Sequence, residues 1–248
     1  MRDEEYRAMF ELEERLWWYE GMRAITASLL GPGLGDKEDL RLLDVGCGTG
    51  YSLVWLRDRF KLAEVYGVDL SPHAAAFWRA RELDTVALAS VDKLPFGECE
   101  FDLVTCFDVI YQLNDERASA AVSEMHRVLK PGGLLFIREP AYQWMRGAHD
   151  VAVGTHRRYT LTDMRRLLRA HGFKPRRSTY ANTLLFWLAA PHRLLSRLRG
   201  STESDVKQVP QLLNSVLCAA LRLEARMLGR VGFPFGLSAI TLAEKESR

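Results

Sequence analysis

Short apolar runs alternate with amphipathic stretches through the middle of the chain. "RLLDVG" (41–46), "EVYGVDL" (64–70), "TVALASV" (85–91), "FDLVTCFDV" (101–109) and "LLFIREP" (134–140) are nearly continuous in apolar character. Between them, "YSLVWLRDRF" (51–60), "PHAAAFWRARE" (72–82) and "ERASAAVSEMHRVLK" (116–130) repeat apolar residues three or four apart, and Pro131-Gly132-Gly133 reads as the stop of the last helix. Strands buried on both faces and alternating with helices predict a parallel sheet with helices on each side. The expected fold class is α/β, doubly wound.

Both ends of the chain depart from this alternation. Tyr6, Met9, Phe10, Glu13, Leu16 and Trp17 recur at helical spacing until "GPGLG" (31–35), so residues 1–35 are expected to form an N-terminal helical cap. After the fifth strand, "AYQWMRGAHDVAVGTHRRYT" (141–160) has no period and reads as a long functional loop. Thr162 is expected to cap a helix over "DMRRLLRAHGF" (163–173), stopped by Gly172. "FKPRRSTYA" (173–181) and "LSAITLAEK" (237–245) complete seven strands. The expected sheet domain is 36–180 with 237–248. Residues 181–236 form a helical insertion, broken at "GSTESDVKQVP" (200–210), that serves as lid, acceptor pocket or interface.

Composition narrows this picture only a little. With 248 residues, 48% apolar content and six tryptophans, the chain can bury the core of one domain and a subdomain. A net charge of +2 gives no reason to expect a nucleic-acid partner. Cys47, Cys99, Cys106 and Cys218 form no C-x-x-C pair, so neither a disulfide framework nor a metal site is expected, and a reducing cytoplasm fits. The charged start lacks the apolar core of an export signal, and no run approaches the ~20 apolar residues that span a bilayer. "TLLFWLAAPHRLLSRLR" (183–199) joins an apolar run to a basic end, as would a peripheral membrane contact, a buried lid helix or a homodimer contact.

The candidate chemistry starts at "LLDVGCGTGYS" (42–52). Asp44, Gly46, Gly48 and Gly50, with Cys47 as a small filler, follow an apolar strand and open a helix, where backbone N–H groups face a ligand above the sheet. A dinucleotide fingerprint is G-x-G-x-x-G, whereas this chain reads D-x-G-x-G-x-G. Asp44 would repel a pyrophosphate and suits an ammonium group. Asp69 ends the second strand, where an acid accepts ribose hydroxyls. An ammonium and a ribose without phosphate describe S-adenosylmethionine.

Four stretches in order, "LLDVGCGTG", "VYGVDLSP", "LPFGECEFDLVTCFDVIYQL" and "MHRVLKPGGLLFI", resemble the successive motifs of class I S-adenosylmethionine-dependent methyltransferases of the type 11 and type 12 kind, over Leu40 to Ile137. The resemblance implies a Rossmann-like seven-stranded sheet. It places the methionine part of the cofactor at Asp44, Gly46, Gly48 and Gly50. The ribose and adenine edge fall to Asp69 and Leu70, the adenine to Val91 and Asp92, and the floor of the site to Phe107 and Asp108. The chain departs from the pattern at Ser90, where many relatives carry Asp.

A sulfonium methyl is already activated, so the enzyme mainly positions an acceptor, excludes water and supplies a base where one is needed. "LWWYEGMR" resembles an aromatic entry segment that closes over such sites, nominating Trp17, Trp18, Tyr19 and Arg23 as lid residues. The region after the fifth strand offers Glu139, Tyr142, Arg157 and Arg158 as acceptor contacts, and His156, Tyr159 and His149 as base or orienting group. Arg157, Arg158, Arg165, Arg166, Arg169, Lys174, Arg176 and Arg177 read either as a solvated face or as a site for an anionic or phosphate-linked acceptor. The expected function is methyl transfer from S-adenosylmethionine, leaving S-adenosylhomocysteine, to a small-molecule, sugar or lipid-carrier-linked acceptor by in-line displacement. The alternatives are a protein or nucleic-acid methyltransferase and a non-catalytic cofactor-binding subunit. Against nucleic acid, "FDVIY" stands where amino-methylating enzymes carry an N/D-P-P-Y/F tetrad.

Overall fold

The computed structural model describes residues 3–35, 38–147, 150, 154–187 and 209–246. Its strands are β1 (Arg41–Val45), β2 (Glu64–Asp69), β3 (Val86–Leu88), β4 (Phe101–Phe107), β5 (Leu129–Pro140), β6 (Phe173–Ala181) and β7 (Ser238–Lys245). They form one sheet in the order β3-β2-β1-β4-β5-β7-β6. The first five are parallel, and β7 runs antiparallel to both β5 and β6. The seven expected strands are all present.

Alternation along each strand divides the core between two faces. Leu43, Val45, Val104, Leu135 and Ile137 pack under α5 (Asp115–Val128) and α6 (Leu161–Ala170), meeting Met125, Met164 and Leu168. Leu42, Leu103, Phe136, Ile240 and Leu242 point the other way, toward α2 (Trp17–Leu34), α3 (Tyr51–Phe60) and α7 (Gln211–Leu228). A short α4 (Ala75–Ala80) brings Trp78 to the same side.

Three element boundaries differ from expectation. The N-terminal run is two helices, α1 (Asp3–Leu12) and α2, because the chain turns at 13–16 and the Arg23 guanidinium donates to the carbonyls of Glu13 and Glu14. Helix α5 stops at Val128 rather than Lys130; Leu129 is already extended, and the Pro-Gly-Gly stretch lies within β5, opposite a register shift in β4. Thr160, not Thr162, caps α6. The Thr160 hydroxyl accepts the Asp163 N–H while the Asp163 carboxylate accepts the Thr160 N–H, a reciprocal box that Thr162, exposed in the first turn, cannot make.

The expected insertion leaves the sheet at Ala181 and returns at Ser238, which pair with each other; Ser238 also pairs with Pro140. Both ends therefore sit at the edge where the parallel strands finish. Residues 183–187 make a helical turn, and its Thr183 and Leu184 N–H groups donate at 3.1 and 3.0 Å to Glu224 of α7, which is fully buried. Helix α7 lies close against α2, so that a Cβ on Gly21 would stand 2.2 Å from Leu221 Cδ1. Much of "TLLFWLAAPHRLLSRLR" and all but the end of "GSTESDVKQVP" lie outside the described residues. No described helix is long and apolar enough to cross a membrane.

Candidate functional site

The turn after β1 is tied to β2 by the Gly46 and Cys47 N–H groups, which donate to the Val68 carbonyl at 2.8 and 2.9 Å. Gly46 and Gly48 take left-handed φ values of 84° and 56°, and a Cβ at either would meet Val109 Cγ2 at 2.3 Å or Met9 Cε at 2.9 Å. Gly50, also left-handed, is the N-cap of α3. Register sets Asp44 opposite Thr105, whose hydroxyl donates to Asp44 Oδ1 at 2.6 Å. Burial pushes the Asp44 carboxyl up to about 7, against the pull of Thr105 and the Arg138 charge. Arg138 pairs with Asp108 at 3.0 Å and lies 4.9 Å over the Phe107 ring. Cys47 is buried, and its thiol is pushed up by burial and by Asp44 and Asp69, so it is no nucleophile.

Asp69 closes the other end of the turn. Its Oδ2 accepts the Gly48 N–H at 2.9 Å, and its Oδ1 accepts the Ser71 N–H and the Tyr6 hydroxyl, each at 2.9 Å. Tyr6 comes from α1, which lies across the glycine turn. Two further contacts hold the cover: Thr49 donates to Glu13, and Arg81 pairs with Glu13 at 2.9 Å. Tyr19 of α2 is half-buried near Glu13, Asp108 and Arg138, and desolvation pushes its phenol up. Tyr6, Glu13, Thr105 and Arg138 were not among the expected site residues. The spacing of Tyr6, Met9 and Glu13 on one helix face was visible, but nothing local named Asp69 and Thr49 as their partners.

The remaining nominated residues divide sharply. Leu70 is exposed, whereas Val91 turns its side chain into the core. Asp92 holds Arg117 at 2.6 Å and accepts from Ser90, so Ser90 and Asp92 act as a pair. Trp17 and Trp18 meet edge to face and, half-buried, pack against the core, with the Trp17 backbone N–H donating to Asn214 of α7. Arg23 clamps the turn between α1 and α2 and lies 4.9 Å over the Tyr51 ring. Glu139 is fully buried and accepts the N–H groups of Val109, Ile110 and Tyr111 at 3.0–3.2 Å. Burial and Asp108 push its carboxyl well up, and its work is to fix the loop after β4.

In the loop after β5, Arg158 forms a buried pair with Asp150 at 2.7 Å and donates to the Ala141 carbonyl, a structural role in place of the expected acceptor contact. Arg157 pairs with Asp115 and Asp163, and Tyr142 stacks on Tyr180 and Trp144. Tyr159 is 2% exposed; its bridge to Ala141 turns the ring inward to the core, which removes it from a pocket wall. His156 is exposed, and its N–H donates to the Tyr111 carbonyl at 2.8 Å, which holds it beside the ends of β4 and β5. His149 lies outside the described residues.

A family model described as "Methyltransferase domain" matches residues 43–137, the stretch from the strand before the glycine turn to the end of the apolar run in β5. That stretch is a methyltransferase domain. It is 36% identical over 137 residues to the ubiquinone/menaquinone biosynthesis C-methyltransferase UbiE of Chromobacterium violaceum, covering 52% of this chain and 51% of that protein. The chain thus spans about half the length of this relative. Among solved structures it resembles phosphoethanolamine N-methyltransferase 2 of Haemonchus contortus in complex with S-adenosyl-L-methionine (TM-score 0.58, 20% identity, 90% of this chain and 52% of that one). It also resembles the [4+2]-cyclase SpnF (TM-score 0.59, 22% identity, 93% and 82%). At such identities the likeness shows the fold alone, and a cyclase among the neighbours means that the fold by itself does not set the reaction.

The residues present fit S-adenosylmethionine, the cofactor of this family of domains. Two buried carboxylates flank a turn of backbone N–H groups, and no lysine or arginine occurs from Leu42 to Leu56 to balance a phosphate.

Proposed function

We propose that the chain transfers a methyl group from S-adenosylmethionine to a small-molecule or carrier-linked acceptor. The observation that carries the reading is the placement of buried Asp44 and Asp69 on either side of a glycine turn whose own sequence, 42–56, has no lysine or arginine. Asp44 receives the ammonium group, and Asp69 receives the ribose hydroxyls in place of the Tyr6 hydroxyl. Helix α1 is the lid, because it is the element that covers the turn.

When bound, the cofactor supplies a methyl already activated by its sulfonium. What the protein adds is placement and exclusion of water. Tyr19, Asp108 and Arg138 line the approach beyond the methionine end, and His156 is the exposed titratable group beside the ends of β4 and β5. The acceptor enters between this loop and the insertion, both of which lie outside the matched domain.

Calorimetric titration with S-adenosylmethionine and with NAD tests the cofactor. Binding of the former alone is expected, and binding of NAD alone overturns the reading. Labelled methyl offered with a cell extract tests the acceptor: label is expected in the small-molecule or lipid fraction, and label confined to protein or nucleic acid overturns that part.

A further inference from the structure

We propose that the outer face of α7, with the turn at 183–187 beside it, docks on an anionic lipid bilayer. On a helix of 3.6 residues per turn, Leu212, Val216, Ala219, Leu223 and Met227 fall in one stripe. The four large side chains are 79%, 57%, 53% and 40% exposed in that order. The opposite side of α7 is spent on the core through Leu221, Ala225 and Leu228. Single exposed apolar residues need no explanation, but a stripe about four turns long on a helix already packed on its other face does.

Both borders of the stripe point to lipid. Along one border run Arg222 and Arg226, with Arg230 just past the helix end; Arg222 is paired with Glu20 of α2. A groove of about 450 Å³ opens on this border, lined by Ser215, Arg222, Arg226 and Glu20, and offers hydroxyl and guanidinium donors to a phosphate headgroup. The other border meets the turn at 183–187, because Leu184 donates its N–H to Glu224 of α7. There Leu184 and Trp187 are exposed, with Trp187 packed against Phe186 and Phe235 and exposed Trp144 against Phe186. Tryptophan favours the headgroup boundary, where its ring is half in each phase.

Charge decides between a bilayer and a second copy of the chain. The one acid in α7, Glu224, is buried on two backbone N–H groups, and the carboxylate that borders the groove, Glu20 of α2, is taken up by Arg222, so Arg226 is left without a carboxylate partner among the described residues. A second copy docked through the same face would bring no acid of α7 to Arg226, and its Glu20 is already held by its own Arg222. Anionic lipids supply that charge, and an apolar stripe with a cationic rim that is too polar to span a bilayer lies in its surface. The proposal rests on this surface alone and stands apart from the methyl-transfer reading.

The test is co-sedimentation of the full chain with phosphatidylcholine vesicles and with vesicles that also contain phosphatidylglycerol, at low and high salt. Binding is expected to the anionic vesicles and to weaken with salt. Leu223→Glu and Val216→Glu are each expected to weaken it about tenfold or more, by placing a charge where an apolar side chain enters the lipid. Arg226→Gln, a milder change on the rim, is expected to weaken it about fivefold. All three variants should keep the wild-type melting temperature. Equal affinity for both vesicle types, or none for either, overturns the proposal. A dimer in light scattering that Leu223→Glu dissociates assigns the face to a second copy. A drop in melting temperature in both glutamate variants, without vesicle binding by the wild type, assigns it to cover by the chain itself.

Discussion

Lowering the pH from about 7.5 to about 5.5 should detach the cofactor by titrating a single buried carboxyl. Asp44 is 1% exposed, and burial lifts its carboxyl to about 7 in the ligand-free protein. A bound ammonium group favours the ionised form, so binding releases a proton wherever Asp44 is protonated beforehand. The ligand's own α-amino group, near 7.7–8.0, stays largely charged over this range. With Asp44 titrating at about 7, affinity for S-adenosylmethionine should fall about 25-fold between those two pH values, roughly 1.9 kcal/mol at 1.36 kcal/mol per unit. Calorimetry in buffers of different ionisation heat measures both the affinity and the proton released. In Asp44→Asn the dependence should flatten, and affinity at about pH 7.5 should drop by the ~1.5–3 kcal/mol of a hydrogen bond to a charged group. The stability of the ligand-free protein carries the opposite sign. A carboxyl raised on folding contributes most at low pH, and that contribution is lost as pH rises through about 7, so Asp44→Asn should melt higher than wild type under mildly alkaline conditions. A flat wild-type profile, or an Asn variant that keeps the same fall, refutes the assignment of the ammonium to Asp44.

Two further outcomes follow from the contacts. Tyr6→Phe removes the hydroxyl that competes with a ribose for Asp69, so cofactor affinity should rise by ~0.5–1.5 kcal/mol, and limited proteolysis should cut α1 faster; weaker binding in titration would show instead that Tyr6 belongs to the bound site. Gly21→Val would drive a side chain into Leu221 at the crossing of α2 and α7, with an expected loss of ~1–3 kcal/mol in denaturant unfolding and little change in cofactor affinity, and an unchanged midpoint would mean that the two helices are free to part.

The sheet was legible because strands buried on both faces must be apolar throughout, and helical periods separate them. The glycine turn was legible because its conformation needs glycine. What escaped were partnerships across long separations. Tyr6 reaches Asp69 over 63 positions, so an amphipathic helix was visible while its role as a cover was not. Charged residues misled in the opposite direction. Glu139 and Arg158 stood near the expected site and looked available, but one is committed to three backbone N–H groups and the other to Asp150. The cap of α6 was within reach of sequence rules: of two nearby threonines, only Thr160 has an acid three residues on.

The rung on which Ala181, Ser238 and Pro140 pair gives the insertion an unusual freedom. Its two ends lie on neighbouring strands, about 4.8 Å apart. A segment that closes so short a gap and still supplies the core side chains of α7, Leu221, Ala225 and Leu228, can be exchanged there without altering the register of the sheet. Selection can therefore revise the outer surface of the insertion while leaving the strands of the sheet untouched.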